Sequence, residues 1–305
     1  VACEEGMARP LLLGRKEVIL ELMETIDFDK DEVTIIDPKD DEQQDQLKRY
    51  AHELWERRKR KGITLYDAEK LMRERNYYAA MMVVAGDADA MLSGYSRAYP
   101  AVLKPVLEII GKEPRAKIVA ATNLMNTKKG PIFISDTSIN VDPDATQLAQ
   151  IAQMTSFAVS MFGLEPNVAM VSYTNFGASK NPSATKVKEA VKLLHEHHPD
   201  ICVDGELQVD FALNKKMRHA KFPFSKLENK RVNTLIYPNL DAANSTYKLL
   251  KELNSADSIG PILLGLDLPA HVFQLGANVD EMVNMTAVAV IDAQQKAHRK
   301  KYDKK

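Results

Sequence analysis

The feature that most constrains the fold is the alternation of short, largely apolar segments with longer segments of helical periodicity. Residues 168–173 and 232–237 are apolar segments of this kind, and residues 185–196 and 240–253 have the helical pattern. A strand that is apolar at almost every position is buried on both faces of its sheet. The alternation therefore predicts an α/β protein with mostly parallel sheets flanked by helices.

Further segments follow the same alternation. Residues 1–6 are typical of the last turn of a helix that stops at Gly6, so we expect the sequence to begin within an element, as an excised domain would. Asp142, Pro143 and Asp144 predict a helix capped by Asp142, with proline at its first position. Other helices are predicted at residues 16–26, 40–61, 65–74, 102–110, 206–213 and 280–297, and other strands at residues 33–37, 78–86, 116–125, 132–135, 201–203 and 261–264.

Composition limits the size, the partners and the location of the protein. The 305 residues exceed the roughly 250–300 at which single cores stop growing, so we expect two lobes. The 41 basic and 42 acidic residues leave a net charge of -1, which favours neither nucleic acid nor an anionic membrane as a partner. Cys3 and Cys202 are too few for a disulfide framework, which favours a reducing, cytoplasmic location.

The longest uncharged segment, residues 145–164, has the length of a membrane span. Gln147, Gln150 and Gln153 recur three residues apart within it and form a polar stripe on a helix. The segment therefore predicts a helix of the α/β fold and no membrane span.

Residues 172–180 form a polar loop between a predicted buried strand and a helix. Such a loop lies at the carboxyl end of a parallel strand, where free backbone N–H groups, Ser179 and Lys180 can bind a phosphate or another anion. The alternative is a connecting loop in which Gly177 supplies flexibility. The glycine-rich motifs of nicotinamide and P-loop sites are absent from the sequence.

Other polar clusters have a functional and a structural interpretation. Asp87 and Asp89 follow the predicted strand at 78–86 and suit either a metal or acid/base pair or the start of a helix. Asp204 and Glu206 are predicted at a strand-to-helix turn, as a cap or as part of a cleft. His195, His197 and His198 could ligate a metal ion or simply end an exposed helix. Trp55 and the basic residues 57–61 could form a patch that binds a phosphorylated ligand, or an exposed helix face.

Five segments together resemble the phosphate acetyl/butyryltransferase family, in the right order and across essentially the whole chain. Two more, residues 172–177 and 284–287, resemble the phosphotransacetylase-like C-terminal domain of bacterial NADP-dependent malic enzymes. The five segments are residues 82–91, 133–137, 204–208, 237–244 and 259–265.

This resemblance implies a fold of two α/β lobes similar to that of isocitrate and isopropylmalate dehydrogenases. The first lobe is expected to comprise residues 1–114 and 264–305, and the second residues 115–263, with a ligand cleft between them. Family members also dimerise, so the resemblance implies a homodimer within a larger homo-oligomer.

Active members of the family transfer an acetyl group between phosphate and coenzyme A, with an aspartate as the base and a serine and an arginine in a Ser-Arg-Gly motif. In this sequence the serine position is Gln274, the arginine position is Leu275, and the base position falls on Glu281. Replacing a guanidinium by an alkyl group removes every donor it offered. We therefore expect no catalytic residues here, because the combined losses exceed ~4 kcal/mol of transition-state stabilisation.

The resemblance implies a regulatory domain that binds acetyl-CoA as an inhibitory effector of an upstream malic enzyme domain. NADP and a divalent metal are expected in that upstream domain, and no cofactor or metal in this one. Two alternatives remain: an active phosphate acetyltransferase with Glu281 as base and Gln274 as donor, and a structural dimerisation domain with a vestigial cleft. The candidate ligand-binding residues are Arg58, Lys104 (where the family has arginine), Asn175, Gly177, Ala178, Ser179, Lys180, Gln274 and Gly276.

Overall fold

The computed structural model describes residues 1–95, 97–253 and 256–302, and it has a mixed α/β architecture. The chain divides into two compact units, one formed by Val1–Glu113 with Leu266–Lys305 and the other by Pro114–Gly265. Both units contain strands and helices, and parallel pairing predominates. The predicted α/β class is therefore confirmed.

Strands and helices alternate through much of the chain, although residues 44–85 hold three consecutive α-helices. In chain order they are β1 (Leu11–Leu13), α1 (Lys16–Thr25), β2 (Thr34–Ile36), α2 (Gln44–Arg58), α3 (Leu65–Met72), α4 (Arg75–Ala85), β3 (Met91–Ser93), α5 (Tyr99–Pro105, continued by a π-helical turn at Val106–Ile110), β4 (Ala120–Thr127), β5 (Gly130–Ser135), α6 (Ala145–Met161), β6 (Asn167–Val171), α7 (Pro182–His197), β7 (Cys202–Leu207), α8 (Val209–Leu213), α9 (Lys215–Lys221), β8 (Thr234–Ile236), α10 (Leu240–Glu252), β9 (Ala256–Leu264), β10 (Ala270–Val272) and α11 (Val279–Tyr302).

The first unit holds two short parallel strand pairs. β1 pairs with β2, and β3 pairs with β10. The second pair joins the two parts of the unit, because β3 lies in Val1–Glu113 and β10 lies in Leu266–Lys305. Parallel strands cannot be joined by a tight turn, and the chain between β3 and β10 includes the whole second unit. The carboxyl ends of β3 and β10 therefore meet although they are far apart in sequence.

The second unit is built on a sheet with the strand order β7–β6–β8–β5–β4–β9. The first four strands are mutually parallel, whereas β4 is antiparallel to both of its neighbours. Phe133 packs with Val159 of α6 on one face, and the adjacent Ile134 belongs to a cluster that includes Tyr247 of α10. Successive residues of β5 are thus buried on opposite faces, which explains why this strand is apolar at nearly every position.

The strand predicted at residues 78–86 is wrong, because this segment forms α4. The Glu74 carboxylate caps that helix by accepting hydrogen bonds from the N–H groups of Asn76 (3.0 Å) and Tyr77 (3.2 Å). Gly86 ends it with φ +80 and donates its N–H to the Val83 carbonyl. A helix that is buried nearly all round has the same continuous apolar composition as a buried parallel strand, so composition alone did not distinguish the two.

Two further differences concern predicted capping residues. α6 is capped by Asp144, not Asp142, in a capping box in which Asp144 and Gln147 bind each other's backbone N–H groups. β7 extends to Leu207, so Asp204 and Glu206 lie within a strand instead of at a strand-to-helix turn. The helix α9 and the strands β1, β3 and β10 were not predicted. Among the described residues, no helix is both long and apolar enough to cross a membrane.

Candidate functional site

In the first unit, the carboxyl ends of β3 and β10 are held tightly together. The Phe273 N–H donates to the Ser93 carbonyl at 2.7 Å, and the Ser93 hydroxyl donates to the Asn76 side-chain oxygen at 2.6 Å. Gly94 has φ +138, and a Cβ at that position would lie within 3.0 Å of three Phe273 backbone atoms. Only glycine fits there, and this close approach fixes the start of the segment 274–276.

The three positions that align with the Ser-Arg-Gly motif form a turn directly after β10. The Gln274 carbonyl accepts a hydrogen bond from the Ala277 N–H at 3.3 Å, and Gly276 has φ +78. The Leu275 side chain is 64% exposed. The turn geometry of the segment is therefore well defined, and an exposed apolar side chain projects from Leu275, the predicted arginine position.

The base position, Glu281, is part of a helix cap. Its N–H donates to the Asn278 side-chain oxygen at 2.8 Å, and its carboxylate accepts from the Asn278 N–H at 3.2 Å. This reciprocal arrangement is a capping box, which satisfies two backbone donors at the start of α11. The carboxylate at the predicted base position therefore contributes to the cap of α11.

Arg58, the retained basic position, is largely buried, with 14% of its side chain exposed. Its Nη1 donates to the Glu108 carbonyl at 2.9 Å, and Nη2 lies 3.3 Å from the Glu108 carboxylate. Tyr77 donates its hydroxyl to that same carboxylate. Burial, with the hydrogen bond to Glu108 adding to it, raises the pKa of Tyr77 well above its ordinary value. Glu108 thus holds the guanidinium of Arg58, while Nε is buried without a hydrogen-bond partner among the described residues.

Lys104 is exposed on α5, which packs against β10. A cation that sequence reasoning missed, Arg97, follows the carboxyl end of β3 and pairs with Glu74 at 2.8 Å. The only sequence signal for Arg97 was its position a few residues after an apolar strand.

In the second unit, the predicted anion-binding loop already has internal partners for its backbone donors. Phe176 N–H donates to the Glu206 carbonyl at 2.9 Å, and Gly177 N–H donates to the Glu206 carboxylate. Ala178 N–H donates to the Asn175 carbonyl at 3.1 Å. The expectation of free N–H groups is therefore wrong for these three residues, because Phe176 and Gly177 donate to Glu206 of the neighbouring strand and Ala178 donates within the loop.

The side chains of the same loop are also ordered by contacts. The Asn175 side chain accepts from the Gln208 N–H at 2.8 Å and donates to the Gln208 side-chain oxygen at 2.6 Å. Ser179 Oγ lies 2.8 Å from the Tyr173 hydroxyl. Lys180 is exposed, and a Cβ on Gly177 would lie 3.6 Å from the Lys188 ammonium group. Cationic side chains are therefore the groups of this loop best able to meet an anion.

The remaining polar clusters have structural roles. Asp87 follows α4 and accepts hydrogen bonds from Gln46, Arg49 and Tyr50 of α2, so the helix-start interpretation is wrong for this residue. Asp204 accepts from the Ser225 hydroxyl at 2.8 Å and from the Lys226 N–H at 2.8 Å, which ties that segment to β7.

The histidines and the basic segment of α2 likewise contact their own surroundings. His195 Nε2 lies 2.9 Å from the Val203 carbonyl oxygen, and His198 Nδ1 lies 3.5 Å from the Gln153 amide. Arg57 pairs with Glu53, and Lys59 pairs with Glu56 and lies over the Trp55 ring. Within the described ranges, no group of three His, Cys, Asp or Glu residues is arranged to hold a metal ion.

Comparison with known proteins identifies the family. Residues 1–290 match the phosphate acetyl/butaryl transferase family. The chain belongs to this family. In agreement, a phosphotransacetylase structure from Streptococcus pyogenes has a TM-score of 0.85 and 32% identity, covering 97% of this chain and 88% of that one. The predicted family and the phosphotransacetylase fold are therefore confirmed.

Relatives within the phosphate acetyl/butaryl transferase family are of two kinds. The phosphate acetyltransferase of Thermoanaerobacterium thermosaccharolyticum is 36% identical over 301 residues, which are 96% of this chain and 90% of that enzyme. The NADP-dependent malic enzyme of Haemophilus influenzae is 34% identical over 299 residues, which are 95% of this chain and 38% of that enzyme. The chain thus spans 38% of the length of this malic enzyme and corresponds to a domain shared by both kinds of protein.

Proposed function

We propose that this chain is a regulatory phosphotransacetylase-like domain of an NADP-dependent malic enzyme, which binds acetyl-CoA without acyl transfer. The observation that carries the proposal is Leu275, an exposed isobutyl side chain where active members have a guanidinium. The capping box of Glu281 with Asn278 supports it, because the base position serves the fold. The match to a malic enzyme over 38% of that enzyme's length supports the second half of the proposal.

The size of the effect favours binding over catalysis. Removing one preorganised donor to a developing oxyanion typically costs about 10²–10³ in rate, and here a serine and an arginine are both replaced. Binding depends on many contacts to the adenine, phosphates and pantetheine of coenzyme A, so it survives the loss of two groups better than catalysis does.

The candidate contacts can now be assigned by unit. In the first unit, Arg58 offers the guanidinium hydrogens that Glu108 leaves, and Lys104 offers an exposed ammonium group. Gln274 offers an amide at the motif turn. In the second unit, the proposed contacts are the side chains of Asn175, Ser179 and Lys180 and the backbone at Gly177 and Ala178.

Regulation of a malic enzyme requires coupling to its other domain. Acetyl-CoA would bind one conformation of this domain more tightly than another, and the catalytic domain would sense a coupling free energy of typically ~1–3 kcal/mol. NADP and the divalent metal are assigned to the upstream domain. A homodimer within a larger homo-oligomer and a cytoplasmic location belong to the same proposal.

The second candidate function is phosphate acetyltransferase itself. It is favoured by the phosphate acetyltransferase relative, of which this chain covers 90% at 36% identity. In this version Glu281 would leave its capping box to act as the base, and the Gln274 amide would replace the serine and arginine as donor.

An activity assay and a binding measurement distinguish the candidates. Release of coenzyme A thiol from acetyl-CoA and phosphate should stay below ~1 s⁻¹, which is the low end of ordinary enzyme turnover. Calorimetric titration with acetyl-CoA should give a saturable heat. Turnover above that limit would establish the acetyltransferase, and absence of both turnover and heat at millimolar acetyl-CoA would favour a purely structural dimerisation domain.

A further inference from the structure

A cavity of about 360 Å³ lies between α2 and α3 in the first unit. This α2/α3 cavity is separate in sequence from the candidate residues named above, none of which lines it. Its lining residues are Gln44, Leu47 and Lys48 from α2, and Tyr66, Glu69, Lys70 and Arg73 from α3 and its C-terminal cap.

The lining residues occupy one face of each helix. On α2 they are spaced by three and four residues, and on α3 by three, four and seven, which is the spacing of a stripe that normally packs against a neighbouring element. Leu47 follows that rule, since only 2% of it is exposed. The other positions are polar or charged, so the two stripes enclose a groove with an apolar floor and cationic walls.

The lining of the α2/α3 cavity carries a net positive charge, although Lys70 also interacts electrostatically with the Asp67 carboxylate outside it. Lys48, Lys70 and Arg73 face a single acidic residue, Glu69, and none of these four side chains forms an ion pair in the part of the chain that the structure describes. Elsewhere on α2 the cations are paired, as Arg49 is with Asp87. The cavity therefore concentrates cations that the fold leaves available to a ligand.

Helix stability does not account for this arrangement. Lys70 lies in the last turn of α3, where the helix dipole favours a cation, and Arg73 caps the same end. Lys48 is the fifth residue of α2, beyond the first turn, so the helix dipole does not stabilise its charge. Lys70 and Arg73, three residues apart, repel each other as like charges. A bound anion would offset this repulsion.

We propose that the α2/α3 cavity binds a nucleoside phosphate. The three cations would hold the phosphate groups, and Tyr66, which is 75% exposed, would provide an aromatic face for the base. The volume lies near the lower limit of the roughly 300–1,000 Å³ found for small-molecule sites, so a mononucleotide is the expected size class. This site is independent of the acetyl-CoA proposal, because Arg58, Lys104 and Gln274 take no part in it.

Equilibrium titration of the full chain with ADP, at low salt, tests the assignment. We expect saturable binding that is weakened about tenfold by Lys48→Ala, Lys70→Ala or Arg73→Ala, since each removes a charge-assisted hydrogen bond. Lys61→Ala is the matched control, because Lys61 is an exposed cation that follows α2 without lining the cavity. Tyr66→Ala should weaken binding about fivefold or more, and Tyr66→Phe should preserve it.

Adenosine and inorganic phosphate separate the two halves of the ligand. Both should bind much more weakly than ADP. Adenosine binding as tightly as ADP would overturn the role of the cations, and phosphate binding as tightly as ADP would overturn the role of Tyr66. An equal effect of Lys61→Ala and Lys70→Ala would reduce the binding to general charge attraction and refute the site. Unfolding midpoints of all variants, which change exposed side chains, verify that each remains folded.

Discussion

The carboxylate of Glu206 accepts a hydrogen bond from the backbone N–H of Gly177, a residue 29 positions earlier in the chain. The two residues are brought together because β6 and β7 are parallel neighbours, and the loop after β6 folds over the end of β7. The Glu206 side chain thereby binds a backbone N–H group of the loop that the sequence predicts as an anion site. A ligand of this loop must compete with Glu206 or approach through side chains.

Neutralising Glu206 should loosen this loop. A hydrogen bond to a charged acceptor contributes about 1.5–3 kcal/mol and a neutral one about 0.5–1.5, so Glu206→Gln should accelerate amide exchange at Gly177 about fivefold. Hydrogen exchange measured by NMR reports this directly. Glu189→Gln, an exposed change on α7, is the control. Unchanged or slower exchange at Gly177 would show that the carboxylate charge does not hold the loop.

The capping box at the start of α11 predicts an asymmetry among substitutions. Asn278→Ala should lower the free energy of unfolding by about 1 kcal/mol, the usual cost of losing a cap. Glu281→Gln should cost much less, since glutamine can accept the same backbone hydrogen bond. Urea unfolding measures both, with exposed Asp280→Asn as the control. A large loss of stability in Glu281→Gln would mean that the negative charge, and not the cap, is what this position supplies.

Restoring the family motif should restore chemistry if its loss is the cause of inactivity. The double variant Gln274→Ser with Leu275→Arg should gain acyl transfer by about 10²-fold or more over the parent, because each group supplies a donor to the transition state. Coenzyme A release from acetyl-CoA and phosphate is the readout, and the variant Leu275→Lys is the matched control for charge without the guanidinium fork. A parent chain already as active as the double variant would contradict the regulatory proposal.

His271 in β10 is a buried titratable group whose neighbours are also ionisable. Its Nε2 lies 3.6 Å from the Asp292 carboxylate, which lies 3.5 Å from the Lys296 ammonium group. Burial, helped by the charge of Lys296, lowers the pKa of His271 to about 3. Burial also raises the pKa of Asp292 and lowers that of Lys296. The imidazole is therefore neutral in the folded protein at physiological pH.

This burial predicts a loss of stability on mild acidification. Between pH ~6.5, the ordinary histidine pKa, and the folded value, the unfolded chain binds a proton that the folded chain does not. Stability should therefore fall by about 1.4 kcal/mol between pH 7.5 and 5.5 through His271 alone. The raised pKa of Asp292 acts in the opposite sense at lower pH. The comparison of urea unfolding in the parent and in His271→Leu at both pH values isolates the histidine, and an equal pH dependence in the two proteins would refute the prediction.

Local sequence patterns predicted many of the elements, because the periodicity of a helix or a strand involves only residues that are close together in the chain. The helices at α1, α7 and α10 and the strand at β5 lie close to their predicted positions. The failure at α4 has a physical reason, since a helix buried nearly all round and a strand buried on both faces share one composition. Glu74 and Gly86, at the two ends of that segment, were the available signals for a helix.

The sequence by itself determined the α/β class and the family, since both follow from the order of residues. Only the tertiary structure decided that the Glu206 carboxyl group accepts a hydrogen bond from Gly177 and that Glu108 pairs with Arg58. It also decided that Lys48 and Lys70 line one cavity. Each of these relationships joins residues that are far apart in the chain. The partner of each polar or charged group depends on which side chains the packing of the elements brings near it. A local sequence pattern does not contain that information.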